Sequence, residues 1–203
     1  MNILLLNGLP EDYEGIPISA DYRNMINVDL ILHGDEGNET ERTIAALHQL
    51  YPQIPADIAK AVEGLTWFFS RGKIESNDKK NDNNTKKASV RAFSFEQDAD
   101  LIYAAFYATY NISLSTVDFL HWWEFLALFE GLPETTLIQR VMYWRTANLS
   151  DLPKPERKHI QKMCKIFALK EPDKIPMSVE EINQDTKDRV ARRFAEAQAM
   201  LGG

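Results

Sequence analysis

The spacing of apolar side chains predicts a succession of amphipathic helices along most of the chain. Ile44, Leu47 and Leu50 fall on one helical face, opened by an Asn38/Glu41 capping-box pattern and stopped by Pro52. Ile58, Val62, Leu65 and Phe69 form the stripe of the next helix. Pro55 suits its first turn, Trp67 and Phe68 widen the stripe, and Gly72 marks its end. Ser94 and Gln97 make a second capping-box pattern ahead of Leu101, Ile102, Ala105 and Phe106. Tyr103, Tyr107 and Tyr110 lie beside that face, and Asn111 ends it. Leu132-Pro133 leads into a helix expected to bury Leu137, Ile138, Val141 and Met142 and to turn Arg140 and Arg145 outward. Pro153 and Pro155 punctuate before a helix carrying Ile160, Met163 and Phe167.

The segment Leu120-His121-Trp122-Trp123-Glu124-Phe125 is apolar on almost every face. With Ser115 to Asp118 as start signal and Gly131 as stop, it reads as a helix from about Thr116 to Glu130. Such a helix is the centre of a core, or core plus interface. Adjacent helical residues point ~100° apart. One of Trp122 and Trp123 is therefore expected in the core and the other at the rim or in a partner's groove.

The ends follow weaker patterns. Ile3 to Leu6 suggests a short strand, and the turns around Gly8 and Gly15 suggest a small β-hairpin. Ser19 could cap a helix that ends near His33-Gly34, although β-branched residues leave a strand reading open over 27–32. Residues 73–92 are dominated by Asn, Asp and Lys. They bury too little apolar surface to offset their ordering entropy, so they read as a linker or a long exposed loop. Ser178 to Glu181 is a capping box, after which Ile182, Thr186, Val190, Phe194, Ala197 and Leu201 step along one face. The expected fold is mainly α: a bundle-like set of helices with an N-terminal hairpin and an amphipathic C-terminal helix. Four parts are expected: an acidic, mostly helical 1–72, the polar stretch 73–92, an aromatic-rich helical 93–170 packing with 20–72, and a connector with the amphipathic helix over 171–203.

Charge sharpens this picture. The net charge of −7 divides into −8 over residues 1–70, +4 over 71–92 and −3 over 93–203. An acidic body disfavours nucleic acid and anionic lipid. Lys79, Lys80, Lys86 and Lys87 could meet phosphates, but Asp78 and Asp82 interrupt them and no aromatics interleave, which favours a solvated linker. No run of apolar residues is long enough to span a membrane, and the N-terminus lacks the basic region and cleavage site of a signal peptide. Cys164 is the only cysteine, in keeping with a reducing cytoplasm.

Candidate chemistry is sparse. No histidine lies four residues from another, so no helical zinc pair exists. His121 and Glu124 could form half of a carboxylate–histidine metal site, against the more ordinary reading of a polar strip. Glu96, Asp98 and Asp100 could pair for acid–base work, but acids in a helix's first turn complement its dipole. Cys164 could be a nucleophile only beside a positioned base, and a lone cysteine on a helix is usually a small packing side chain. Residues 34–39 do not follow the spacing of a calcium loop, and no Gly-rich phosphate loop occurs. No catalytic residue, metal or cofactor is implied; these absences remove the ready reasons to propose an enzyme without excluding one.

Residues 98–106, the run Tyr110-Asn111-Ile112-Ser113-Leu114 and the segment Leu120 to Phe125 resemble the "gene product fifteen" family of tailed bacteriophages and of prophages in Gram-positive bacteria. Trp67-Phe68-Phe69, Gly72-Lys73 and Met142-Tyr143-Trp144-Arg145 are similar to that family as well, as is the Lys-rich gap. The resemblance covers most of residues 20–170.

It implies a non-enzymatic tail assembly chaperone that binds the tape-measure protein and assists assembly of the tail tube, with the major tail protein as a second expected partner. The implied place is the host cytoplasm during assembly, not the mature virion. The alternative is a structural tail component, a completion or adaptor protein retained in the virion. Partner-binding residues are expected at Trp122, Trp123, Val190, Phe194 and Leu201, with a homo-oligomer as a further expectation.

Overall fold

The computed structural model describes residues 8–72 and 91–170. The expected strand over 3–6, most of the polar stretch and the C-terminal amphipathic helix lie outside the described residues.

Glu14 and Gly15 take positive φ (50° and 80°), the pair of left-handed residues that a two-residue hairpin turn favours. They join β1 (Asp12–Tyr13) to β2 (Ile16–Pro17), antiparallel, with Tyr13 opposite Ile16. The expected N-terminal hairpin is this one.

Seven α-helices follow among the described residues. α1 (Tyr22–His33) starts at Asp21, whose carboxylate accepts from the Arg23 N–H at 2.9 Å; the cap is Asp21 and not Ser19. The helix continues through residues 27–32, which settles the strand alternative. Met25 and Val28 bury their side chains there, so packing outweighs β propensity. α2 (Glu39–Leu50) opens on the expected capping box. The Glu41 N–H donates to Asn38 Oδ1 at 3.0 Å, and the Asn38 N–H donates to Glu41 Oε2 at 2.9 Å. The Ser19 N–H donates to the Leu50 carbonyl at 2.6 Å, so α2 ends where α1 begins and the two form an antiparallel pair.

α3 (Ile58–Phe69) is capped by Asp57 and buries Ala61, Gly64, Leu65 and Phe68. The spacing predicts Ile58, Val62, Leu65 and Phe69 as the buried stripe; the buried face is turned so that Ile58 is exposed. Ile44 and Leu137 are likewise exposed, not buried. Gly64 permits this rotation: a Cβ there would run into the Tyr51 hydroxyl and the Tyr13 ring. The Tyr51 hydroxyl in turn donates to the Ala61 carbonyl at 3.1 Å.

α4 (Ala99–Tyr110) begins at Asp98 and ends at Asn111 in the left-handed conformation (φ 55°). α5 (Trp122–Glu130) is shorter than expected, because Ser113 to Thr116 close a turn of their own and His121 is the cap. α6 (Leu137–Thr146) and α7 (Lys154–Ile166) complete the set, with a 3-10 turn over Leu149–Asp151 between them. The main core runs through α1 to α5 and takes in Ile138 of α6. A smaller cluster of Val141, Trp144 and Ile160 joins α6 to α7, and Leu101 of α4 packs on both.

Candidate functional site

The Trp-Trp segment is positioned by the residue before it. His121 caps α5: the Trp123 N–H donates to Nδ1 at 3.0 Å. The other ring nitrogen stands 3.0 Å from the Pro10 carbonyl. A carbonyl only accepts, so Nε2 carries the proton and the ring is the neutral tautomer. Burial holds the ring below the usual histidine range, against the Pro10 carbonyl and the Glu124 and Glu11 carboxylates, which pull the other way. Both nitrogens are thus engaged, and Glu124 is exposed. The pair His121/Glu124 is helix cap and solvent-facing acid.

His121 is also bridged to Asp21, the cap of α1. The Tyr22 N–H donates to the Leu120 carbonyl at 2.9 Å and the Trp122 N–H to the Ala20 carbonyl at 2.8 Å, an antiparallel bridge. The two caps therefore lie side by side. The Arg23 guanidinium pairs with Asp21 at 3.0 Å and reaches the Val117 carbonyl, tying the preceding loop to the same point.

Both tryptophan rings are buried, Trp122 at 1% exposure and Trp123 at 2%. This overturns the expected division into one core ring and one rim ring. The physical reason is the C-terminus of α3. The last carbonyls of a helix lack partners within it. The Trp123 indole N–H donates to the Phe68 carbonyl at 2.8 Å and the Trp122 indole N–H to the Phe69 carbonyl at 3.4 Å. The rings follow the same pairing, with Trp123 and Phe68 centroids 5.9 Å apart and Trp122 and Phe69 5.7 Å apart. Two consecutive residues on one helix thus meet two consecutive residues at the end of another. Phe125 lies behind them, stacked on Tyr22 at 4.9 Å, Phe106 at 5.0 Å and Trp122 at 5.7 Å.

Other helix ends are closed by distant side chains too. The Tyr110 hydroxyl donates to the Leu128 carbonyl at 2.9 Å and the Gln139 amide to the Phe129 carbonyl at 3.2 Å, at the end of α5. Arg145 Nε donates to the Phe167 carbonyl at 2.7 Å, at the end of α7. The helical pattern turns Arg145 outward, but its side chain is 6% exposed and forks onto Asp98, itself 4% exposed, at 2.6 and 2.9 Å. It also donates to the Ala92 carbonyl at 3.1 Å, while Asp98 accepts from the Ser94 N–H at 2.9 Å. Asp98 is therefore the buried partner of Arg145.

Arg91 pairs with the buried Asp29 at 2.7 Å, and Arg71 pairs with Glu130. No buried side-chain nitrogen or oxygen among the described residues lacks a hydrogen-bond partner. A groove of about 460 Å³ lies between residues 15–17 and 52–56, none of which carries an ionisable side chain. Among the described residues no three His, Cys, Asp or Glu side chains gather into a metal-binding group, and no helix is long and apolar enough to cross a membrane. Cys164 sits half-buried on α7.

Val190, Phe194 and Leu201 lie outside the described residues. Among the apolar side chains that do face outward are Tyr103 and Tyr107, stacked with centroids 6.3 Å apart on α4, and Phe119, Leu137 and Tyr143. The tyrosines' four-residue spacing is the sequence signal that marks a shared face; Phe119 gives no such signal.

A family model described as Bacteriophage Gp15 protein matches residues 6–169. No curated protein and no solved structure matches the chain. The match spans the aromatic segments and helix ends described above and most of the chain's length. The chain belongs to the Bacteriophage Gp15 protein family and is a phage structural or assembly protein.

Proposed function

We propose that this protein is a non-enzymatic tail assembly chaperone that binds the tape-measure protein and assists assembly of the tail tube. One observation carries the reading. His121 and the Trp122 and Trp123 indoles are spent on closing helix ends and Asp98 on the buried pair with Arg145, while Tyr103, Tyr107, Phe119 and Tyr143 stand on the surface. Exposed large apolar side chains suit weak, repeated contacts with a helical client. The expected place of action is the host cytoplasm during assembly, with the major tail protein as a second partner. Val190, Phe194 and Leu201 are proposed as further contact residues.

Co-expression with the tape-measure protein of the same phage tests this. The expected result is a soluble tape measure that co-purifies with this chain. A tape measure that stays insoluble and does not co-purify overturns the reading. Mass spectrometry of purified virions separates it from a retained completion or adaptor protein, because a chaperone is missing from the finished particle.

A further inference from the structure

Two faces of opposite charge stand on the described surface. On α7, Lys154, Lys158, Lys162 and Lys165 are spaced four, four and three residues apart, so they fall within about 80° around the helix. All four are exposed. Ile160, Met163 and Phe167 lie on the opposite side, against Val141 and Trp144. With Arg157 and Glu156, the helix carries a net +4. Ile166, four residues from Lys162, is exposed beside the stripe.

The second face is the corner between α1 and α2. Asp35, Glu36, Glu39 and Glu41 place four exposed acids within residues 35–42 against one base, Arg42, whose guanidinium donates to the Gly37 carbonyl at 2.8 Å, a net −3. Leu32 and Ile44, on either side of this run, are exposed as well. Among the described residues, none of these lysines or carboxylates forms an ion pair. α7 packs on α6 and the 3-10 turn, whereas the corner belongs to the α1–α2 pair.

We propose that the lysine stripe of α7 docks on the α1–α2 corner of a second copy of this chain. The charges are opposite, and Ile166 on one side with Leu32 and Ile44 on the other supplies apolar contact. The chain's net −7 disfavours a polyanion as occupant of the stripe. Each copy carries one stripe and one corner, so the contact joins two different faces. It closes into a ring of two or more copies where the rotation allows and runs on into a filament where it does not. The inference concerns the chain alone and does not depend on the chaperone reading.

Sedimentation velocity of the full chain without any client tests it. At low salt the protein is expected to grow beyond monomer with concentration, and the association is expected to weaken at least about tenfold in 0.5 M salt, where the Debye length is only a few ångströms. One variant carries Lys154→Gln, Lys158→Gln, Lys162→Gln and Lys165→Gln. The other carries Asp35→Asn, Glu36→Gln, Glu39→Gln and Glu41→Gln, the last of which preserves the capping box, since glutamine serves there as well as glutamate. Each variant alone is expected to be monomeric and still to melt cooperatively, slightly below the wild type because first-turn acids of α2 or the last-turn Lys165 of α7 are neutralised. Their mixture is expected to form a 1:1 complex that grows no further, because one intact stripe meets one intact corner. A wild-type chain that stays monomeric at low salt overturns the proposal. So do variants that still assemble, a mixture that does not pair, or duplex DNA binding that is lost with the lysines.

Discussion

The indole of Trp123 donates its N–H to the carbonyl of Phe68 at 2.8 Å, while its neighbour Trp122 makes the same bond to Phe69 at 3.4 Å. Trp123→Phe and Trp122→Phe remove the same volume and the same donor. The shorter bond carries the larger share, so Trp123→Phe is expected to cost about 1 kcal/mol more than Trp122→Phe. Urea denaturation of the two variants checks this, and equal losses would contradict it.

The His121 cap makes stability pH-dependent. Its folded-state pKa is lowered, chiefly by burial, so the unfolded chain binds the proton more readily. The stabilisation is fully present above the unfolded value of about 6.5 and is lost as pH falls through it. His121→Asn keeps a capping acceptor that cannot titrate. Between pH 7.5 and 5.5, a span of roughly one unit either side of that value, the wild type is expected to lose more stability than this variant. The other histidines are common to both proteins and cancel in the comparison.

Arg145 and Asp98 bury a bidentate ion pair. Arg145→Met strands a buried carboxylate and the Ala92 and Phe167 carbonyls, at a cost of about 3–5 kcal/mol. Adding Asp98→Asn to Arg145→Met is expected to recover part of that loss. A double-mutant cycle with no coupling between the two positions would refute the pairing.

Gly64→Ala tests a packing claim whose sign runs against propensity. Alanine is the better helix former by about 1 kcal/mol. The Tyr51 hydroxyl and the Tyr13 ring occupy the space of its methyl group, and overpacking of this kind costs about 1–3 kcal/mol. A net loss of stability is expected in thermal melts; a gain would show that the rings move aside freely.

Local signals are legible in the chain, and distant ones are not. The Asn38/Glu41 capping box, the hairpin turn and the Asn111 stop depend on neighbours within a few residues, and all three form as expected. Ser115 to Asp118 resemble a cap, which puts the expected start of α5 too early. The true cap, His121, is fixed by Pro10 and Asp21, about a hundred residues away in sequence. Arg145 reads as a surface charge until Asp98 is set beside it. The tryptophan pair misleads for a similar reason. Side chains ~100° apart do need different neighbours, but Phe68 and Phe69 in the last turn of α3 provide both.

The bridge between Asp21 and His121 also bears on the order of folding. α1 and α2 can form a helical hairpin as soon as both have left the ribosome, since their contacts are close in sequence. The backbone partners of Ala20 and Tyr22 arrive only with Leu120 and Trp122. Closing so long a loop is slow compared with forming a helix. The backbone groups of Ala20 and Tyr22 therefore stay without these partners until α5 is synthesised and seats its first turn against that of α1.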